Sequence, residues 1–232
     1  MLAKIINRLN RGSDKPLMSF AQCGEDIIIN FILEQLGRHK PSYLDIGAHH
    51  ASYLSNTYFF YKKGAVGVCV EPDPLLCESI KKRRKRDKCL NIGIGVSEKD
   101  KSAPFYVLSV KTLSTFSKVE AERYASYGHH KIEEVLQIPL LTVNDVIKDN
   151  FANCPDFISL DVEGWDMQIL KSLDLSRYRP PVFCIETLTY TENKTERKIT
   201  EIIDYMLSKN YFLYADTYIN SIFVDSEAWA KR

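Results

Sequence analysis

Apolar residues along the chain fall into two patterns, short unbroken runs and stripes at helical spacing. Their alternation predicts a parallel sheet covered on both faces by helices. Tyr43 to Ile46, Ala65 to Val70, Leu90 to Val96, Phe157 to Leu160 and Pro181 to Ile185 read as buried strands, with Pro104 to Val110 a further extended piece. Gly24 to Leu36 reads as a helix with Ile28, Phe31, Ile32 and Leu36 on one side, and Glu25 and Asp26 suit its first turn. Asp73 caps the next helix, with Pro74 at its first position. A further helix begins near Gly164, and Thr195 is expected to cap one that turns Ile199, Ile202, Ile203, Met206 and Leu207 inward. Tyr211 to Ala215 and Tyr218 to Val224, joined by Asp216-Thr217, read as a closing antiparallel hairpin. The segment 111–131 breaks the alternation and is expected to form a lid.

At the start, Leu2, Ile5, Ile6 and Leu9 stand at helical spacing, with Lys4, Arg8 and Arg11 on the other side. Residues 1–18 are therefore expected as an amphipathic appendage and residues 19–232 as one Rossmann-like domain. The appendage is expected to pack on its own domain or on a sister subunit of a homo-oligomer; peripheral contact with a membrane surface is the alternative. No apolar run approaches the ~20 residues of a transmembrane segment. With 31 basic and 30 acidic residues the net charge is +1, which offers no field for nucleic acid. The basic run Lys81-Lys82-Arg83-Arg84-Lys85-Arg86-Asp87-Lys88 reads as a solvated helix end, where cations complement the dipole. Its functional alternative is a dock for an anionic acceptor. Cys23, Cys69, Cys77, Cys89, Cys154 and Cys184 form no C-x-x-C pair and no Cys/His cluster, so a reduced, cytoplasmic protein is expected. On that reading the Asn193-Lys194-Thr195 triplet carries no glycan.

Chemistry gathers at the strand ends. Asp45, Glu71, Asp161 and Glu186 each stand at or just past the end of an expected strand, beside the crevice where open parallel sheets bind ligands. Such carboxylates repel one another unless a cation or hydrogen-bond donors fill the space. Gly47 permits a tight turn after the first strand, but the full G-x-G-x-x-G fingerprint is absent. An acid at Glu71 can accept both hydroxyls of a ribose. Capping and surface pairing are the bland alternatives for Asp45 and Glu71, and turn-shaping is the alternative for His49 and His50. Tyr53, Tyr58, Tyr61, Tyr124 and Tyr127 can floor a sugar-binding cleft or simply pack with their hydroxyls outward.

Several segments then occur in a telling order. They are Ser19-Phe20-Ala21-Gln22-Cys23-Gly24-Glu25-Asp26, Asp45-Ile46-Gly47-Ala48-His49-His50, Ser55-Asn56-Thr57, Leu113-Ser114-Thr115-Phe116-Ser117 and Ser159-Leu160-Asp161-Val162-Glu163-Gly164, with Arg179-Pro180 before the Glu186 strand. In this set the chain resembles the FkbM-type methyltransferases. The resemblance implies a class I methyltransferase fold, an α/β Rossmann-like sheet, mostly parallel, that ends in the antiparallel hairpin. It also implies S-adenosylmethionine as methyl donor and O-methylation of a hydroxyl on a glycan or natural-product acceptor. By resemblance Asp161 lies near the methionine end of the donor and Glu163 faces the acceptor. The donor-side candidates are Gln22, Asp45, Gly47, His49, Glu71 and Ser97, the last for its place after the third strand. The catalytic candidates are His50, Asp161, Glu163 and Glu186, any of which could take the hydroxyl proton. A divalent cation such as Mg²⁺ bridging Asp161 and Glu186 is left open. Two rivals stand beside this reading: a nucleotide- or nicotinamide-dependent oxidoreductase on the same sheet, and a non-catalytic cofactor-binding scaffold.

Overall fold

A computed structural model describes residues 16–189 and 195–232. The expected helix at the start of the chain lies outside them, as do Asn193 and Lys194 of the glycosylation triplet. Helices α1 (Glu25–Gln35), α2 (Tyr58–Lys62) and α3 (Pro74–Arg83) alternate with strands β1 (Tyr43–Ile46), β2 (Gly67–Val70) and β3 (Lys88–Leu90). Next come β4 (Gly93–Gly95), β5 (Ser102–Leu108), a 3-10 turn (Lys111–Leu113), α4 (Lys118–Ser126) and β6 (Ile132–Thr142). The second half holds α5 (Val143–Asn150), β7 (Phe157–Leu160), α6 (Asp166–Ser172), β8 (Val182–Glu186), α7 (Thr200–Ser208), β9 (Tyr211–Asp216), β10 (Asn220–Asp225) and α8 (Ser226–Ala230).

The main sheet has seven strands in the order β3-β2-β1-β7-β8-β10-β9. Only β10 runs against its neighbours, so the expected mostly parallel sheet with a terminal antiparallel hairpin is found. Strand periodicity sorts its side chains. Leu44 and Ile46 of β1 pack with Val68, Val70, Ile158, Leu160 and Phe183 under α5, α6 and α7. Tyr43, Phe157 and Val182 face the other way, onto Ile29, Ile32 and Leu33 of α1 and Phe59 and Phe60 of α2. Burial of apolar area on both faces, at about 25 cal/mol per Å², holds the three layers together.

Four expectations need correction. In α1 the buried stripe is Ile29, Ile32 and Leu33, while Phe31 is 51% exposed, because the helix meets the sheet one position round from the anticipated face. The run from Leu90 to Val96 is not one strand. The Asn91 side chain donates to the carbonyls of Glu71 and Pro72, and the chain then leaves the main sheet for a second one, ordered β4-β6-β5. Thr195 does not cap α7; that helix starts at Thr200 after Ile199, and Leu207 is 48% exposed. The basic run is not wholly solvated, since Arg84 is 0% exposed. Asp73 does cap α3, its Oδ1 accepting from the amides of Leu75 and Leu76, with Pro74 at the first position.

Candidate functional site

Beyond the carboxyl ends of β1, β2, β7 and β8 lies a cavity of about 370 Å³ that reaches under the β4-β6-β5 sheet. Its floor is the turn after β1. The amides of Gly47 and Ala48 donate to the carbonyl of Val70, and the Asp161 amide donates to the carbonyl of Ile46. Gly47 has φ +82, and a Cβ there would stand 1.7 Å from the Asp161 carbonyl oxygen. Only glycine lets the two strand ends meet so closely. Gly93 serves the roof, where a Cβ would stand 2.3 Å from the Phe116 ring.

Glu71 marks one end of the cavity. Its Oε2 accepts from the His49 amide at 2.7 Å and its Oε1 from the Asp73 amide at 2.8 Å. Each oxygen keeps a lone pair for a further donor. Burial pushes this carboxyl up to about 8, against the pull of the two amides. Leu76, Pro72 and Ile92 add apolar wall beside it.

Asp161, Glu163 and Glu186 form the other end, with one oxygen from each lying within 4.8 Å of the others. Burial pushes all three carboxyls up; the Asp161 charge adds to it for Glu163 and Glu186, and the Asp166 charge adds to it for Asp161. The Asp161 and Glu186 oxygens lie within 4.8 Å of each other, so one proton held between them would relieve their repulsion. Glu163 has φ +54, outside the usual range for a side chain of its size. Contacts from the 111–131 segment hold it there. The Thr115 hydroxyl donates to the Glu163 carbonyl at 2.9 Å, and the Tyr124 hydroxyl donates to Glu163 Oε2 at 3.0 Å. Asp166 closes the loop from below, accepting from the amides of Val162 and Gly164. Three carboxylate oxygens at this spacing also suit a hard divalent cation.

The structure therefore brings most of the expected residues together. Gln22, Asp45, Gly47, His49, Glu71, Asp161, Glu163 and Glu186 all line one cavity. Gln22 is fixed by Asn220, which donates to it and to Glu25. Asp45 is different in kind, because alternation along β1 turns its carboxylate onto the α1 and α2 face. There it accepts from the Thr57 hydroxyl and lies 3.7 Å from Arg84 Nη1. Ser97 and His50 are not in the cavity wall. Ser97 sits in the turn after β4, accepting from the Lys99 amide, because the chain has already left the main sheet. His50 turns its Nδ1 to the amides of Ser52 and Tyr53, an imidazole used to cap a turn.

Sequence reasoning missed Arg84, Asn91, Thr115 and Asp166. Thr115 at least lay within a quoted motif. The others gave no signal separable from an ordinary surface or turn residue. Segment 111–131 carries helix α4, and its Lys111, Thr112, Leu113, Ser114 and Phe116 line the cavity.

A seven-stranded sheet with one antiparallel strand, and an acid-lined cavity at its carboxyl ends, defines a class I methyltransferase fold. The profile of the methyltransferase FkbM domain matches residues 45–213, and the chain belongs to this family of methyltransferases. Family membership implies S-adenosylmethionine as the donor. No curated protein matches the chain. Among solved structures it is similar to the O-methyltransferase from Bacillus cereus in complex with S-adenosylhomocysteine, at 10% identity over 95% of this chain and 89% of that one, with a TM-score of 0.42. It is similar also to a TehB-like S-adenosylmethionine-dependent methyltransferase from Corynebacterium glutamicum, at 11% identity over 97% and 95%, with a TM-score of 0.43. A third is the Burkholderia thailandensis 1,6-didemethyltoxoflavin-N1-methyltransferase with 1,6-didemethyltoxoflavin and S-adenosylhomocysteine bound, at 10% identity over 87% and 76%, with a TM-score of 0.44. No helix among the described residues is long and apolar enough to cross a membrane.

Proposed function

We propose that this methyltransferase transfers a methyl group to a hydroxyl of a polar acceptor, a glycan or a natural product. One observation carries the reading: Glu71 and the Asp161, Glu163 and Glu186 group stand at opposite ends of a single cavity. S-adenosylmethionine, when bound, supplies an electrophilic methyl group on a sulfonium. The residues present fit that group. Glu71 has one lone pair free on each oxygen for a vicinal diol, the apolar wall at Leu76 and Ile92 suits a base, and the carboxyl group suits positive charge.

Glu163 is the strongest of the four base candidates. Its half-buried carboxyl has a raised proton affinity, and Tyr124 fixes its direction. A positioned base of this kind contributes on the order of 10² to 10⁴ in rate. Asp161 and Glu186, sharing one proton, would orient the acceptor hydroxyl beside it. Holding the oxygen in line with the methyl group supplies much of the remaining advantage. Gln22, Asn56, Thr112 and Thr189 give the wall the amide and hydroxyl groups that a polyol needs. A second reading has Asp161, Glu163 and Glu186 holding a divalent cation that draws the hydroxyl in; their oxygens within 4.8 Å of one another favour it.

Titration calorimetry with S-adenosylmethionine and S-adenosylhomocysteine, with EDTA and with added Mg²⁺, tests both. Micromolar binding is expected, and Glu71→Ala should weaken it by about 1–3 kcal/mol, the cost of leaving a buried donor without its partner. Unchanged affinity in that variant removes Glu71 from the donor site. Binding that needs Mg²⁺ selects the second reading.

A further inference from the structure

Beneath the Glu71 end of the cavity, Cys69, Cys77 and Cys89 share a buried cluster with Ala48, Ala51 and Ile80. Cys77 stands on α3, and Cys89 lies beside Cys69 in the β2–β3 ladder. The sulfurs of Cys77 and Cys89 are 3.1 Å apart. A disulfide closes at about 2.05 Å, so about 1 Å of travel shared between two side chains would join them. Neither thiol has a part in the chemistry above.

We propose that Cys77 and Cys89 form a reversible disulfide that resets the wall of the cavity. α3 begins at that wall. Leu76, next to Cys77, lines the cavity, and the Cys77 amide donates to the carbonyl of Asp73, whose own amide holds Glu71. β3 leads straight into Asn91, which grips the Glu71 carbonyl, and Ile92, which lines the cavity. Joining the two cysteines pulls the elements on either side of Glu71 towards each other. The effect on donor affinity rests on the reading of the cavity given above; the cross-link itself does not.

The oxidant is a low-molecular-weight disulfide of the oxidised glutathione type. The Cys89 thiolate, 8% exposed where Cys77 is 0%, attacks one of its sulfurs and expels one glutathione thiolate, leaving a mixed disulfide. The Cys77 thiolate then attacks the Cys89 sulfur and expels the second. The two protein thiols give up two protons and two electrons, and two glutathione thiols gain them. Burial pushes both protein thiols up, so the exchange is slow at neutral pH and quickens as pH rises.

The test incubates the full chain with oxidised glutathione at about pH 8.5, near the ordinary thiol pKa. The protein is then alkylated and digested without reduction. A peptide pair linked through Cys77 and Cys89 is expected, released by dithiothreitol and absent from Cys77→Ser and Cys89→Ser. Calorimetry with S-adenosylhomocysteine should give an affinity about tenfold weaker for the oxidised than for the reduced wild type, with Cys77→Ser indifferent to the oxidant. Absence of the linkage while Cys23 is modified overturns the proposal, and so does a linkage that leaves the affinity unchanged. Should the reduced protein bind no S-adenosylhomocysteine, the donor reading fails by itself. Hydrogen exchange at the amides of residues 73–77 then decides the pair, and exchange unaffected by oxidation overturns it.

Discussion

Two groups of acids, one buried and one half-buried, lie in this domain and are treated in opposite ways. Under β1 and β2, Asp45 and Asp87 flank Arg84. Its Nε donates to Asp87 at 2.7 Å and its Nη2 to Tyr43 and Thr57, while Asp87 also accepts from Tyr43 and the Gly67 amide. Burial raises the Asp45 carboxyl, and the Arg84 charge and Thr57 hydroxyl pull it back. In the cavity, Asp161, Glu163 and Glu186 have no such cation among the described residues. Lys111 is the lysine or arginine among the described cavity residues, and its ammonium pairs with Glu133 at 3.0 Å. Among the described residues the first group has its own cation and the second has none, a pattern that fits a structural role for the first and, on the proposed reading, protons or a charged ligand at the second.

The sharpest way to break this contrast is Arg84→Met. Two carboxylates would be left buried without their cation, at a cost of about 3–5 kcal/mol. In a chain of this size each kcal/mol moves Tm by about 2–4 °C, so a fall of about 6–20 °C is expected in a thermal melt. A melt within two or three degrees of wild type would make the Arg84 group dispensable.

Glu71 tests the cavity side through pH. Its folded pKa, about 8, stands above the ordinary 4.5. The stability it contributes is complete below pH 4.5 and is lost as pH rises through 8. Glu71→Gln should therefore flatten the decline of Tm across that window and melt above wild type at its alkaline end. Parallel profiles for the two proteins would show that Glu71 carries no such shift.

The smallest effect is expected from Glu163→Gln. It removes a like charge yet keeps an oxygen for Tyr124, so stability should hold or rise by up to about 1 kcal/mol while turnover falls far more than donor affinity. A large drop in Tm would move Glu163 to the structural side of the comparison.

The same contrast explains what was legible in the sequence. Glu71, Asp161 and Glu186 could be read because each ends an apolar run, and strand ends in a parallel sheet have a known destination. Arg84 could not, since a basic residue within a basic run looks solvated and its partners come from other elements. The alternation of β1 is enough to turn the Asp45 carboxylate towards Thr57 and Arg84, but only if the strand's face is known. Ser97 was misplaced because an unbroken apolar run hides a change of sheet, made by the Asn91 side chain. Thr115 and Tyr124 reach Glu163 from a segment whose spacing follows neither strand nor helix period over its length.

That last contact has a consequence for engineering. Segments inserted between strands are the usual material for exchange when a new specificity is wanted. Here the segment also sets the backbone and the carboxylate of Glu163, through Thr115 and Tyr124. A graft that altered the roof of the cavity without restoring a hydroxyl at both positions would loosen the group beneath it. On the proposed reading of Glu163, selectivity and chemistry in this domain form one inheritable unit, and a chimera would have to carry both or lose both.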